Sequence, residues 1–150
     1  NRSHHKTANS RHGRYSYIVM IYIYFTGRIK HKSDIVEACM LMLTELCPDT
    51  EHDVDIDINL LHHLDQQMAG YCWGDSELVH IDLARHSYDT TFTRDDILLH
   101  LTHELIHAKQ LINNQYDYAE TRHLPYIELP WEKEAFGIEE AMCKKYFKIG

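Results

Sequence analysis

The apolar and polar positions along the chain divide it into three strand signals and three helix signals. Residues 14–25 (RYSYIVMIYIYF) are apolar on both faces, which predicts a central, two-sided strand ended by Gly27. Ser33 reads as an N-cap with Asp34 and Glu37 in the first turn, and a helix follows to about Cys47, stopped by Pro48. Its Ile, Met and Leu stripe predicts a core face. Residues 53–60 alternate strictly: Val54, Ile56, Ile58 and Leu60 face one side, while Asp53, Asp55, Asp57 and Asn59 face the other. That is a strand with one solvated, acidic face. Residues 62–76 have loop character, punctuated by Gly70 and Gly74, with Tyr71 and Trp73 placed either to rim a groove or to cover the end of the core. Residues 77–83 alternate again and predict a short strand, with Val79, Ile81 and Leu83 opposite Leu78, His80 and Asp82.

Thr93, followed by Arg94, Asp95 and Asp96, marks the start of a helix that runs to about Leu111 and ends near Asn113 and Asn114. Leu98, Leu99, Leu101, Leu105, Ile106, Ala108 and Leu111 spread over more than half of its circumference, so it is a buried helix. Residues 115–129 form a connection rich in Tyr and charge. Pro130 opens a last helix whose C-terminal end carries Lys144, Lys145 and Lys148. Residues 1–13 (NRSHHKTANSRHG) read as a polar, basic tail, and residues 14–150 as one domain. A chain that opens on Asn1 reads as processed or as a piece of a longer one.

With 44% hydrophobic and 25% charged residues, the chain is expected to fold. A net charge of −8 argues against a general nucleic-acid or membrane-surface binder. No signal peptide is visible, and the run from Tyr15 to Phe25 is too short for a membrane helix. Cys39, Cys47, Cys72 and Cys143 form no C-x-x-C pair, so a structural zinc knuckle is not expected.

The thirteen histidines change the picture at one place, His103-Glu104-Leu105-Ile106-His107. Residues four apart share one helix face, so two imidazoles there can hold one metal with Glu104 beside it. In so His-rich a chain, roughly 0.08 such strings arise by shuffling, so context has to decide. A catalytic metal site needs a third protein ligand and an open position. Gln110 and Asn113 occupy the places where an extended motif has Gly and a third His, so that ligand has to come from further along. On the last helix Glu132 projects within the apolar arc, between Tyr146 and Cys143, and so faces inward. It is the expected third ligand, with Glu134 and His123 as alternatives. Glu139 also projects inward, two turns on. His100 lies near the same face of the motif helix, one turn earlier, and is read as a surface or cleft-entrance residue.

The motif, followed by Pro130-Trp131-Glu132-Lys133-Glu134-Ala135 at the head of the next helix, resembles the gluzincin type of zinc metallopeptidase, and within it the small, minimal zincin domains of phage, viral and bacterial sequences. The resemblance covers about residues 77–148. It implies an α+β fold of the minimal zincin kind: a small mixed sheet on a backing helix, an active-site helix and a C-terminal glutamate helix. Residues 77–83 would then be an edge strand that pairs with an extended substrate. It also implies Zn²⁺ held by His103, His107 and Glu132, Glu104 as general base, and a peptide or protein as substrate, with no nucleic-acid or membrane partner. Some such families place an Asp or Asn four residues after the ligand glutamate. Phe136 stands there, so no partner for a ligand histidine is expected from that position. Tyr126 is the favoured oxyanion donor among Tyr118, Arg122, His123 and Tyr126. Two other readings compete: a zincin-like module that binds metal without peptidase activity, and a metal-free α+β domain in which the motif is coincidence.

Overall fold

The computed structural model describes the backbone of residues 2–12, 15–117 and 124–149, and side chains from residue 19 onward within those ranges. The chain is an α+β protein with a small mixed sheet and three long helices. Strands β1 (Arg2–His12), β2 (Tyr15–Thr26), β3 (Val54–Leu61), β4 (Gly70–Gly74) and β5 (Leu78–Ala84) form the sheet in the order β1-β2-β3-β5-β4. β2, β3 and β5 run parallel, β1 is antiparallel to β2, and β4 is antiparallel to β5. Helix α1 (Lys32–Leu46) makes the crossover from β2 to β3. Helices α2 (Arg94–Ile112) and α3 (Pro130–Phe147) follow the sheet, and a two-stranded ribbon, β6 (His86–Ser87) and β7 (Thr90–Thr91), lies before α2.

Strand register sorts the side chains. Phe25, Ile58, Ile81 and Cys72 are successive partners across the sheet, and Ile23, Ile56 and Val79 form the row beside them. The aliphatic and phenyl side chains of both rows are fully buried and join one core with Leu98, Leu101, Leu105 and Ala108 of α2 and Met42 and Leu43 of α1. Neighbouring positions point to the other face, as the period of two requires. There lie Tyr24, Asp57, His80 and Trp73, partly exposed or exposed.

Several expectations need correcting. Residues 2–12, which the pattern assigns to a tail, pair along the next strand β2 as strand β1, an assignment that rests on that pairing and not on an apolar pattern of their own. The strand over 14–25 is interior as expected, but only one of its faces is fully buried. Val19, Ile21, Ile23 and Phe25 are core, while Met20, Tyr22 and Tyr24 are half-buried. Helix α1 starts at Lys32 with His31 at the cap position, so Ser33 is inside the helix. Residues 62–76, where the pattern predicts loop, hold a 3₁₀ turn, Asp65–Gln67, and the strand β4. Residues 78–84 are consequently an interior strand, and the free edge is β4. The reversal between β4 and β5 explains both glycine and acid there. Gly74 has φ +135°, and a Cβ on it would lie 2.2 Å from the Leu78 carbonyl oxygen. The Asp75 carboxylate accepts from the backbone N–H of Glu77 and of Leu78, each at 2.9 Å.

Thr93 caps α2 through a reciprocal pair: the Asp96 N–H donates to the Thr93 hydroxyl, and the Thr93 N–H donates to the Asp96 carboxylate. Helix α3 is pinned to its neighbours at both ends. Near its start Glu134 accepts from Lys109 and Gln110 of α2, and near its end Lys145 and Tyr146 donate to Glu45 of α1. Replacing Thr93 with Ala is expected to lower stability by about 1 kcal/mol, read as a lower denaturant midpoint, with Asn at 93 restoring most of it.

Candidate metal centre

The spacing of His103 and His107 does what the helix repeat dictates. Both rings leave the same face of α2, with centroids 4.7 Å apart and planes at 81°. Glu132 enters from the first turn of α3, where Pro130 sets the helix start. Its Oε1 lies 3.0 Å from His103 Nε2 and 3.0 Å from His107 Nε2, and the two Nε2 atoms are 3.1 Å apart. These three residues are the group, among the described residues, whose donor atoms converge closely enough to hold a metal ion. A tetrahedral ion with bonds of ~2.05 Å has ligand–ligand edges of about 3.3 Å, so the triangle is slightly tighter than a filled one.

The outer nitrogens decide what the triangle needs. Gln110 Nε2 donates to the Trp131 carbonyl at 2.9 Å and to Glu134 at 2.8 Å. Both are acceptors, so the Gln110 Oε1 is the atom that faces His107 Nδ1, at 2.8 Å. His107 Nδ1 therefore carries the proton. His103 Nδ1 lies 3.1 Å from the Glu139 carboxylate, which likewise makes it a donor. Two neutral imidazoles so oriented aim their Nε2 lone pairs at each other and at Glu132 Oε1. Three converging acceptors, two of them buried, require positive charge at their centre. A proton on one Nε2 bridges a single pair. A metal ion serves all three at once.

The shifts of the same groups describe the triangle with protons in place of an ion, the Nε2 atoms donating to Glu132. Burial opposes ionisation of Glu132, but hydrogen bonds from both imidazoles bring it down to about 2. Burial works against charge on His103 and His107, yet Glu132 and the nearby Glu104 raise both above the ordinary imidazole range. Glu104 has the opposite fate. Burial, only partly offset by the two histidines, raises its carboxyl to about 7. It is 7% exposed and lies beside Gly70 of β4.

Glu104, His107 and Glu132 open into a cavity of about 390 Å³ between β4 on one side and Leu111, Tyr126 and Trp131 on the other. Tyr126 sits on the 3₁₀ turn Tyr126–Glu128 just before α3, is 60% exposed and lines the cavity together with Glu132. Burial, with the Glu132 charge adding to it, pushes that phenol above its usual range. Of the other expected residues, Glu134 faces Lys109, Gln110 and Gln115 and not the triangle. His100 packs edge-on against Phe92 at 4.7 Å, with Nδ1 buried and without a hydrogen-bond partner. Tyr118, Arg122 and His123 lie outside the described residues. Phe136 supplies no hydrogen bond and packs on the His103 ring at 4.8 Å, while Glu139, seven residues after Glu132, accepts from His103 Nδ1. Gln110, which excludes the extended motif, has a role of its own here. Its position three residues after His107, on one helix face, was the signal for a partner to that ring.

No protein-family model, characterised protein or solved structure matches this chain.

Replacing Glu139 with Ala is expected to weaken metal binding by roughly 10- to 100-fold in a chelator competition assay. Gln at 139 can still accept from His103 Nδ1 and should recover most of the loss. Equal loss in both variants would show that the carboxylate's charge, and not ring orientation, is what matters.

Proposed function

We propose that the chain is a zinc-dependent metallopeptidase with a minimal zincin fold. The observation that carries the reading is the convergence of His103, His107 and Glu132 with both outer imidazole nitrogens already committed to Glu139 and Gln110. Two imidazoles and one carboxylate form a donor set suited to catalytic zinc, which keeps an open position beside three protein ligands. A bound zinc supplies Lewis acidity that activates water and polarises a carbonyl.

The chain's own residues supply the rest. Glu104 sits beside the ligands without belonging to them, buried and lining the cavity, which is the place of a general base. It accepts the proton of the attacking water and delivers it to the leaving amine nitrogen. Tyr126 stands at the wall of the cavity that Glu132 also lines, and from there its hydroxyl donates to the carbonyl oxygen as charge develops. The strand β4 offers the substrate a backbone to pair with. Ala84 N–H bonds to the Ala69 carbonyl and Asp75 N–H to the Leu78 carbonyl, so residues 69, 71, 73 and 75 turn their backbone groups toward β5. Alternation then turns those of Gly70, Cys72 and Gly74 toward the free edge.

Gly70 has a second part in this. A Cβ there would lie 2.9 Å from Glu104 Oε2 and 3.0 Å from its Cγ. The missing side chain makes room for the buried carboxylate directly under the substrate-pairing edge.

Three results test the proposal. Protein purified without a histidine tag should carry about one zinc per chain by mass spectrometry, and His103→Ala or Glu132→Ala should lose it. Glu104→Gln should keep the zinc and lose roughly 100- to 10,000-fold in peptide hydrolysis; undiminished cleavage would remove Glu104 from its role. Zinc binding without cleavage of any peptide would instead favour a metal-binding module. Gly70→Ala should also retain zinc while kcat falls, because it displaces Glu104 and not the ligands. A Gly70→Ala enzyme of normal kcat would show that the carboxylate has room elsewhere.

A further inference from the structure

The strand β4 has two faces, and the proposed chemistry uses one. Cys72 points toward Glu104 and the helices, while Tyr71 and Trp73 point to the open face of the sheet. There a second cavity of about 680 Å³ lies under the loop that follows β3, lined by Leu61, Asp65, Tyr71, Trp73 and Asp82 among others. Its floor is a stack of rings. Trp73 lies on His80 at 5.0 Å and 18°, and Tyr71 lies beside Trp73 at 5.5 Å and 27°. Tyr71 and Trp73 remain 49% and 40% exposed, so part of the ring stack is within reach of a ligand. Asp82 is the cross-strand neighbour of Tyr71, and its nearest donor is the Asn59 amide at 3.4 Å. Asp65 stands in the 3₁₀ turn at the lip of the cavity. Among the described residues, neither Lys nor Arg lines it.

We propose that this far face of β4 is a second substrate subsite, which takes a lysine or arginine side chain of a peptide strand paired with the β4 edge. The proposal rests on the peptidase reading for the placement of that strand. Open aromatic faces attract a cation within about 6 Å of a ring centroid, and the two carboxylates complement its charge. A chain with a net charge of −8 adds attraction for basic peptides and repels acidic ones. Directly opposed residues of neighbouring strands place their side chains on the same face. The substrate residue opposite Cys72 therefore turns toward Glu104 and the metal ligands. The residues opposite Tyr71 and Trp73, one on each side of it, turn toward the ring stack. Basic preference is thus expected at positions spaced two apart, interleaved with the side chain that enters the catalytic cavity.

The test uses zinc-loaded full-length protein and a peptide library varied at each position around the scissile bond. Wild-type cleavage should favour Arg or Lys over citrulline, norleucine and Glu by about tenfold in kcat/KM at one position or at two positions spaced two apart. Asp82→Asn, Asp65→Asn and Trp73→Leu should each reduce that Arg-to-citrulline ratio, and the double Asp variant should bring it to about twofold or less. Absence of a basic preference in the wild type, or a full preference surviving in the double Asp variant, overturns the subsite. Fluorescence anisotropy of labelled peptides on the Glu104→Gln protein separates the two readings. An Arg preference in binding, with no peptide cleaved by the wild type, sinks the peptidase reading and leaves the subsite standing. Cleavage without any basic preference does the reverse.

Discussion

One carboxylate oxygen governs this molecule. Glu132 Oε1 lies within 3.0 Å of two imidazole nitrogens whose partner nitrogens already donate elsewhere. Bringing such groups together out of water is unfavourable unless a cation joins them. The fold meets that cost with rigidity. Helix α3 is held to α2 by Glu134 with Lys109 and Gln110, and to α1 by Lys145 and Tyr146 with Glu45. Gln110 serves both purposes, since one end of its amide grips α3 and the other fixes the tautomer of His107. Ligand orientation and helix docking are therefore one network, and a change in either reaches the other.

Much of this was legible because local pattern and tertiary role agree. The strict alternation over 53–60 became β3, Thr93 and Asp96 became a reciprocal cap, and Pro130 opened α3. Glu132 stood out because an acid on an apolar arc has no local reason to be there, and the structure brings it to the two histidines. Glu134 differs by two positions and finds a lysine and amides instead. What escaped the sequence depends on pairing and packing between elements. Residues 2–12 gain strand character only against β2, and β4 is five residues bounded by glycines, which read locally as loop. Glu139 was seen to face inward, but its meeting with His103 Nδ1 needs the crossing of α2 and α3.

The misplacement of the sheet edge has the largest consequence. An edge at residues 77–83 would have presented Val79 and Ile81 beside the motif helix. The observed edge presents two glycines and Cys72, with Glu104 close behind Gly70. A bulkier edge would push a paired peptide away from the proposed base. The glycines therefore serve two constraints at once: a positive-φ turn at Gly74 and a close approach of the Glu104 side chain at Gly70.

A thin edge strand also joins the two cavities. Tyr71 and Trp73 contribute to the walls of both, so a peptide lying along β4 meets the metal-facing side and the ring stack with successive residues. In the proposed peptidase, binding on the far face would act on the register of the peptide and not on the reacting carbonyl. A side chain held between Trp73 and Asp82 would fix which backbone atoms stand opposite Cys72, and with them which bond lies over Glu104. On that argument specificity in this fold arises from strand register, set by contacts on the face of the sheet that takes no part in the chemistry.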